Sequence, residues 1–161
     1  MALKSTNTIN LEYKPETVMK VLTSPEFQKA NFLAQGNPAA EVKEVSRTEN
    51  ELVLRADVEE YAKGVTGIDK SRIEKTVTTF TWNLKTHNAK WTYDSPHGKR
   101  VNVKGEIEIL PTDSGSKLIG HFHVDVKIPL VGGKIEKKVA DAAEAYYPKY
   151  EELIKKHCSK Q

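Results

Sequence analysis

Residues 117–158 read KLIGHFHVDVKI, then PLVGG, then KIEKKVADAAEAYYPKYEELIKKHC, and the change of period across the middle segment decides the fold. In residues 117–128, Leu118, Gly120, Phe122, Val124, Val126 and Ile128 share one face. Lys117, His121, His123, Asp125 and Lys127 share the other, and Ile119 is the exception. A period of two marks a strand with one buried face. Pro129 ends that strand, and Gly132-Gly133 gives the backbone freedom for a turn. From Lys134 onward, Ile135, Val139, Ala142, Tyr146, Tyr150, Leu153 and His157 recur at three- and four-residue steps, one face of an α-helix. A long strand feeding a long amphipathic helix, at the end of a strand-rich chain, predicts a curved sheet wrapped around that helix.

Composition agrees. The 161 residues fit one domain spanning 1–161, with 38% hydrophobic and 29% charged residues, the balance of a globular protein rather than a disordered one. Its 25 basic and 22 acidic residues are interspersed, for a net charge of +3, and no like-charged block announces a nucleic-acid partner. No stretch approaches the roughly 18 apolar residues of a membrane helix. The opening residues MALKST lack the apolar core of a signal peptide. A single cysteine, Cys158, excludes an internal disulfide framework, so a cytoplasmic location is expected. No feature read here sets the oligomeric state.

Working outward from the organising stretch, a first strand is expected over residues 8–13. Pro15 opens a short helix, and Ser24-Pro25 caps and opens a second, whose apolar side is Phe27, Ala30, Phe32 and Leu33. Strands follow over residues 41–47, 51–59, 76–85, 90–94 and 101–109. Residues 61–71 lack periodicity and read as a loop. Short connections between successive strands imply antiparallel neighbours.

This order, one strand, two short helices, about six strands and a long last helix, resembles the START-like superfamily, also called SRPBCC or helix-grip. That superfamily includes birch-pollen-allergen-like plant proteins, lipid-transfer domains and polyketide cyclases. Residues 127–137, KIPLVGGKIEK, resemble the strand-to-helix junction of a mainly bacterial branch with no assigned reaction. The resemblance implies an α+β helix-grip fold, a curved antiparallel sheet of about seven strands around the C-terminal helix. It also implies a hydrophobic small-molecule ligand in a cavity between the two. Pro148 inside the last helix departs from an ideal grip helix and predicts a kink.

Candidate lining residues for such a cavity are Phe80, Trp82, Trp91, Tyr93, Phe122 and Val124 from the sheet, with Tyr146 and Tyr150 from the helix. Aromatics with a polar handle suit small-molecule sites, although regular spacing suits plain core packing equally. His121, His123 and Asp125 offer metal-ligand chemistry, but the apolar residues between them claim the inner face. Strand residues two apart also stand roughly 6.5–7 Å from each other. Neither a metal site nor any other cofactor is therefore expected. Gly132-Gly133-Lys134 lacks the spacing of a phosphate loop, and Cys158 has no activating surroundings. Lys155, Lys156 and Lys160 form a basic end that suits the helix dipole and could touch an anionic membrane surface transiently.

Three functions stay open at this level. The first is non-enzymatic binding of a lipid, sterol-like molecule or other apolar metabolite, with no catalytic residue. The second is a cyclase- or hydrolase-like enzyme acting on an apolar or aromatic substrate, with Tyr93, Tyr146 and Tyr150 handling protons. The third is a protein-interaction module with a packed core.

Overall fold

The computed structural model describes residues 2–64 and 66–161. The chain runs β1 (Ala2–Leu11), α1 (Pro15–Leu22), α2 (Pro25–Ala34), β2 (Ala39–Arg47), β3 (Glu51–Gly64), β4 (Gly67–Asn83) and β5 (Asn88–Asp94). A 3-10 turn (Gly98–Arg100) leads into β6 (Val101–Thr112), β7 (Gly115–Val126) and α3 (Gly132–Cys158). The strands form one seven-stranded antiparallel sheet in the order β1-β7-β6-β5-β4-β3-β2, and α3 packs on β1, β7, α1 and α2. This is the α+β helix-grip architecture.

Local chemistry explains most of these boundaries. Pro15 and Pro25 occupy first-turn positions of α1 and α2, and the Ser24 hydroxyl accepts the Phe27 N–H at 3.3 Å. The register places Leu52, Leu54, Ala56 and Val58 opposite Trp82, Phe80, Thr78 and Thr76, so both strands turn their larger apolar side chains to one face. On β7, Leu118, Phe122, Val124 and Val126 face inward, as their alternation predicts. β-Bulges between Glu44 and Ser46, and between Tyr61 and Ala62, add bend to the sheet.

Three expectations are corrected. The first strand is longer than residues 8–13 toward the N-terminus: Ala2 pairs with Asp125, and the chain leaves the sheet after Leu11. Its first half is edge strand with mostly exposed side chains, so it carries no apolar alternation. Of residues 61–71, where position 65 lies outside the described residues, 61–64 and 67–71 are strand and not loop. They extend β3 and β4 into a hairpin beyond the rest of the sheet. Ala62 stays buried, but on β4 residues 68–73 meet solvent on both faces and the period of two disappears. On α2, the buried side is Phe27, Gln28 and Asn31 rather than a purely apolar one, and Leu33 is 41% exposed. Gln28 donates to the Leu22 carbonyl at 2.8 Å, so a polar side chain fastens one helix to the other.

The β7–α3 junction also differs from expectation. The positive φ falls on Leu130 (71°) and not on Gly132 or Gly133, and Leu130 is fully exposed instead of tucked inward. Gly132 is required for closeness: a Cβ there would collide with the Val126 carbonyl oxygen, whereas one on Gly133 would meet nothing within 4 Å. α3 then continues unbroken through Pro148.

These contacts separate the two glycines. Gly132→Ala should destabilise the fold by about 1–3 kcal/mol through overpacking. Gly133→Ala should be neutral or stabilising by about 0.5–1 kcal/mol through helix propensity. Urea unfolding followed by tryptophan fluorescence checks this, and equal midpoints for the two variants would remove the close-approach argument.

Candidate functional site

The helix α3 is buried at its ends and only partly buried in its middle. Gly132 and Glu136 are buried at one end, and Ile154 and Cys158 at the other. Between them, Val139, Ala143, Tyr146, Tyr147 and Tyr150 are only partly buried. The sheet opposite shows the same gradation. Trp82 and Val124 are wholly enclosed, and Phe80 nearly so, while Trp91, Tyr93 and Phe122 remain partly exposed on the concave face.

Two glycines shape this face. A Cβ at Gly105 would strike the Trp91 indole, and one at Gly120 would lie 3.2 Å from the Tyr147 hydroxyl. Trp91 therefore lies across Gly105, with its ring centroid 6.2 Å from that of Phe122. On the helix side, Tyr150 meets Tyr146, Tyr147 and Phe27 at centroid separations of 6.2–6.4 Å. The Tyr146 hydroxyl donates to Asn31 Oδ1 at 2.6 Å, which ties the middle of α3 to α2.

Of the sequence-predicted lining, the structure thus gathers Trp91, Tyr93 and Phe122 on one wall and Tyr146 and Tyr150 on the other. Phe80 lies at the edge of the main core, where it contacts Phe32 at 6.4 Å between centroids. Trp82 and Val124 belong to the packed core and present no open surface. The Trp82 indole N–H has no hydrogen-bond acceptor among the described residues.

A polar cluster that sequence reading missed occupies the hairpin end of the concave face. Glu60 is 8% exposed; its carboxylate accepts from Thr76 Oγ1 at 2.5 Å, Tyr93 OH at 3.2 Å and Lys63 Nζ at 3.2 Å. Next to it, Glu74 holds His97 Nε2 at 2.6 Å. Burial, then the negative charge of Glu60, the hydrogen bond to it and the charge of Glu74 push the Tyr93 phenol far above its ordinary range. The signal for this cluster lay in alternation carried past Val58 to Glu60 and past Thr76 to Glu74. It was hidden because residues 61–71 read as a loop.

Burial likewise raises the Tyr146 phenol to about 12, and raises Tyr147 and Tyr150. At neutral pH these phenols are hydrogen-bond donors, not bases. Cys158, buried beside Ile154, has its thiol pushed up to about 11 by burial and has no nucleophilic character.

His121 and His123 stand on the convex face, where His121 meets Thr6 Oγ1 at 3.0 Å and Glu108 at 3.4 Å. Among the described residues, no group of three or more His, Cys, Asp or Glu side chains is placed to share a metal ion. The open depressions among the described residues include two on the surface. One of about 540 Å³ lies at residues 126–133, and one of about 360 Å³ lies across β2, β3 and β4 around Ala40, Val58 and Thr76. Neither is lined by the aromatic residues.

Residues 6–157 match the family model described as protein of unknown function (DUF2505). No curated protein matches the chain. Solved structures with the same fold include TTHA0849 from Thermus thermophilus, at 15% identity and a TM-score of 0.63, covering 98% of this chain and 97% of that one. The Zhui aromatase/cyclase from Streptomyces sp. R1128 aligns at 14% identity and a TM-score of 0.59, covering 98% and 92%. A START superfamily protein from Mycobacterium smegmatis aligns at 16% identity and a TM-score of 0.57, covering 96% and 97%. At these identities the likeness establishes the START-like fold.

The buried phenols set an alkaline limit. A folded-state pKa above the unfolded value of about 10 favours the neutral phenol. Its stabilisation is therefore complete below pH ~10 and is lost as pH rises through the folded value. For Tyr146 that window runs from about 10 to about 12. Unfolding free energy measured by denaturant titration should fall across this range, and Tyr146→Phe should make the fall shallower. An unchanged slope in the variant would mean that Tyr146 ionises freely in the folded state.

Proposed function

We propose that this chain, which belongs to the DUF2505 family and has the START-like fold, binds an apolar small molecule between the concave sheet face and the middle of α3. The observation that carries the reading is a set of six inward-facing rings that the core leaves partly open: Trp91, Tyr93, Phe122, Tyr146, Tyr147 and Tyr150. A chain selected only for packing would enclose such rings as it encloses Trp82. Rings gathered on an inner face and left partly open point to something that covers them. A lipid, sterol-like molecule or other apolar metabolite would do so, gaining roughly 25 cal/mol per Å² of apolar surface removed from water. Ala140 and Ala143 on the facing helix leave room for it. The closed cavity expected from the fold would form around the bound molecule as α3 and the aromatic wall adjust.

The polar cluster supports a second reading, a cyclase- or hydrolase-like activity in the same groove. His97 oriented by Glu74 has the arrangement of a general base, with Tyr93 and Glu60 alongside it as hydrogen-bonding groups. The Streptomyces protein of the same fold is an aromatase/cyclase, which fits this alternative in kind.

An apolar fluorophore should bind saturably, and Ala143→Trp, which fills the groove, should weaken it by roughly tenfold or more. Lys137→Ala on the outer surface should leave it unchanged. Absence of a saturable site in the parent protein would end the binding reading. Native mass spectrometry of material purified from cells separates the two functions. A binder and its His97→Gln variant carry the same molecule, whereas a cyclase variant accumulates a different, unconverted one.

A further inference from the structure

Positive charge is concentrated at one end of the molecule. Residues 66–72, 95–100 and 127–138 all project from the end of the sheet where β5 stops and β6 begins. The Lys127 N–H donates to the Arg100 carbonyl at 2.7 Å, and His97 on the middle segment meets Glu74 on β4 at 2.6 Å. These three segments hold eight basic and two acidic residues, a net +6 in the connections themselves, with Glu74, Asp94 and Asp125 bordering them on the strands. One of the two acids, Glu136, is only 1% exposed. Lys137 pairs with Asp141 at 3.0 Å. Among the described residues, Lys99, Arg100, Lys127, Lys134 and Lys138 form no ion pair.

Apart from Lys137 on Asp141 and Lys70 over the Tyr61 ring at 5.8 Å, little inside the molecule offsets this arrangement. Lys134, Lys137 and Lys138 lie in the first two turns of α3, and its first turn has no acid. The helix dipole disfavours cations there. Between them and the sheet stands Leu130, 100% exposed and held at a φ of 71°. Ile68 and Ile73 on the β3–β4 hairpin are 63% and 48% exposed. Cations surrounding projecting apolar side chains form the pattern that an anionic bilayer matches, with headgroup phosphates for the lysines and the acyl boundary for the leucine.

We propose that this end docks on an anionic lipid bilayer, with Leu130 and Ile68 entering the acyl boundary and the basic side chains of the three segments facing the headgroups. A nucleic acid would use the cations but would leave Leu130 without a partner. The C-terminal lysines are less suited to the role. Lys155 is paired with Glu151 at 3.0 Å, and its apolar neighbours Ile154 and Cys158 are buried. No helix among the described residues is long and apolar enough to cross a membrane, so the contact is peripheral. It does not depend on whether the groove holds a ligand.

Co-sedimentation with vesicles of mixed phosphatidylglycerol and phosphatidylcholine, against pure phosphatidylcholine, tests the proposal. Binding is expected to the anionic vesicles alone and to fall with added salt. Lys134→Gln and Lys138→Gln should each weaken it roughly fivefold, and Leu130→Asp by roughly tenfold or more. The Lys155→Gln, Lys156→Gln pair should leave it as in the parent. Leu130 is fully exposed, so its variant should melt with the parent, which a thermal scan checks. Absence of vesicle binding overturns the proposal. So does vesicle binding insensitive to Leu130→Asp, or duplex DNA competing at lower concentration than the vesicles.

Discussion

Val126, the last residue of the sheet before the long helix, is held from two directions. Its carbonyl lies against Gly132, close enough that no side chain fits, and its N–H donates at 2.8 Å to the buried carboxylate of Glu136. A charge-assisted bond to a buried acid is among the stronger local constraints a protein can make. Losing one partner would leave a charge or a backbone donor stranded away from water. The first turn of α3 is thereby fixed to the end of β7. The far end is fixed differently, by Ile154 and Cys158 sinking into the main core beneath α1 and α2. Between these two fixed ends the 27-residue helix meets the sheet through Tyr147, against Gly120, and its inner rings are only partly buried.

The inner face has two characters. Toward α1 and α2 it is ordinary core, with Trp82, Leu52, Leu54 and Phe27 fully enclosed. Toward the hairpin the aliphatic side chains give way to Thr76, Glu60 and Glu74, each held by hydrogen bonds or ion pairs. Buried polar groups are tolerated when satisfied and costly otherwise. The Thr76, Tyr93 and Lys63 contacts to Glu60 are thus what allows a carboxylate to stand on an inner surface. The inner face thus carries an apolar stretch and a polar one side by side.

The same end of the sheet meets the outside through the extended β3–β4 hairpin, the β5–β6 turn and the β7–α3 junction. These connections carry an excess of cations, partly met by Glu74, Asp94 and Asp125 on the adjoining strand ends. Net charge speaks to solubility and steering, whereas charge placement speaks to partners. Only the fold brings these three segments, distant in sequence, to a common edge.

By itself the sequence determined the element order, the helix-grip class and the inward set on β3, β4 and β7. Alternation and the later 3.6-residue period are local signals, each set by backbone geometry over a few residues. The residues Trp91, Tyr93, Phe122, Tyr146 and Tyr150 were legible as inward-facing for the same reason. What tertiary structure alone decided was how far each is covered, because coverage depends on where α3 stands and not on strand period. It also decided the polar cluster: Glu60, Glu74 and His97 belong to three separate segments that only strand pairing and a turn bring together. The junction shows the boundary most clearly. Its glycines announced a turn, yet positive φ went to Leu130 and Gly132 was needed for a carbonyl six residues earlier. A glycine's missing side chain serves conformation and proximity equally well, and only packing reveals which of the two a position requires.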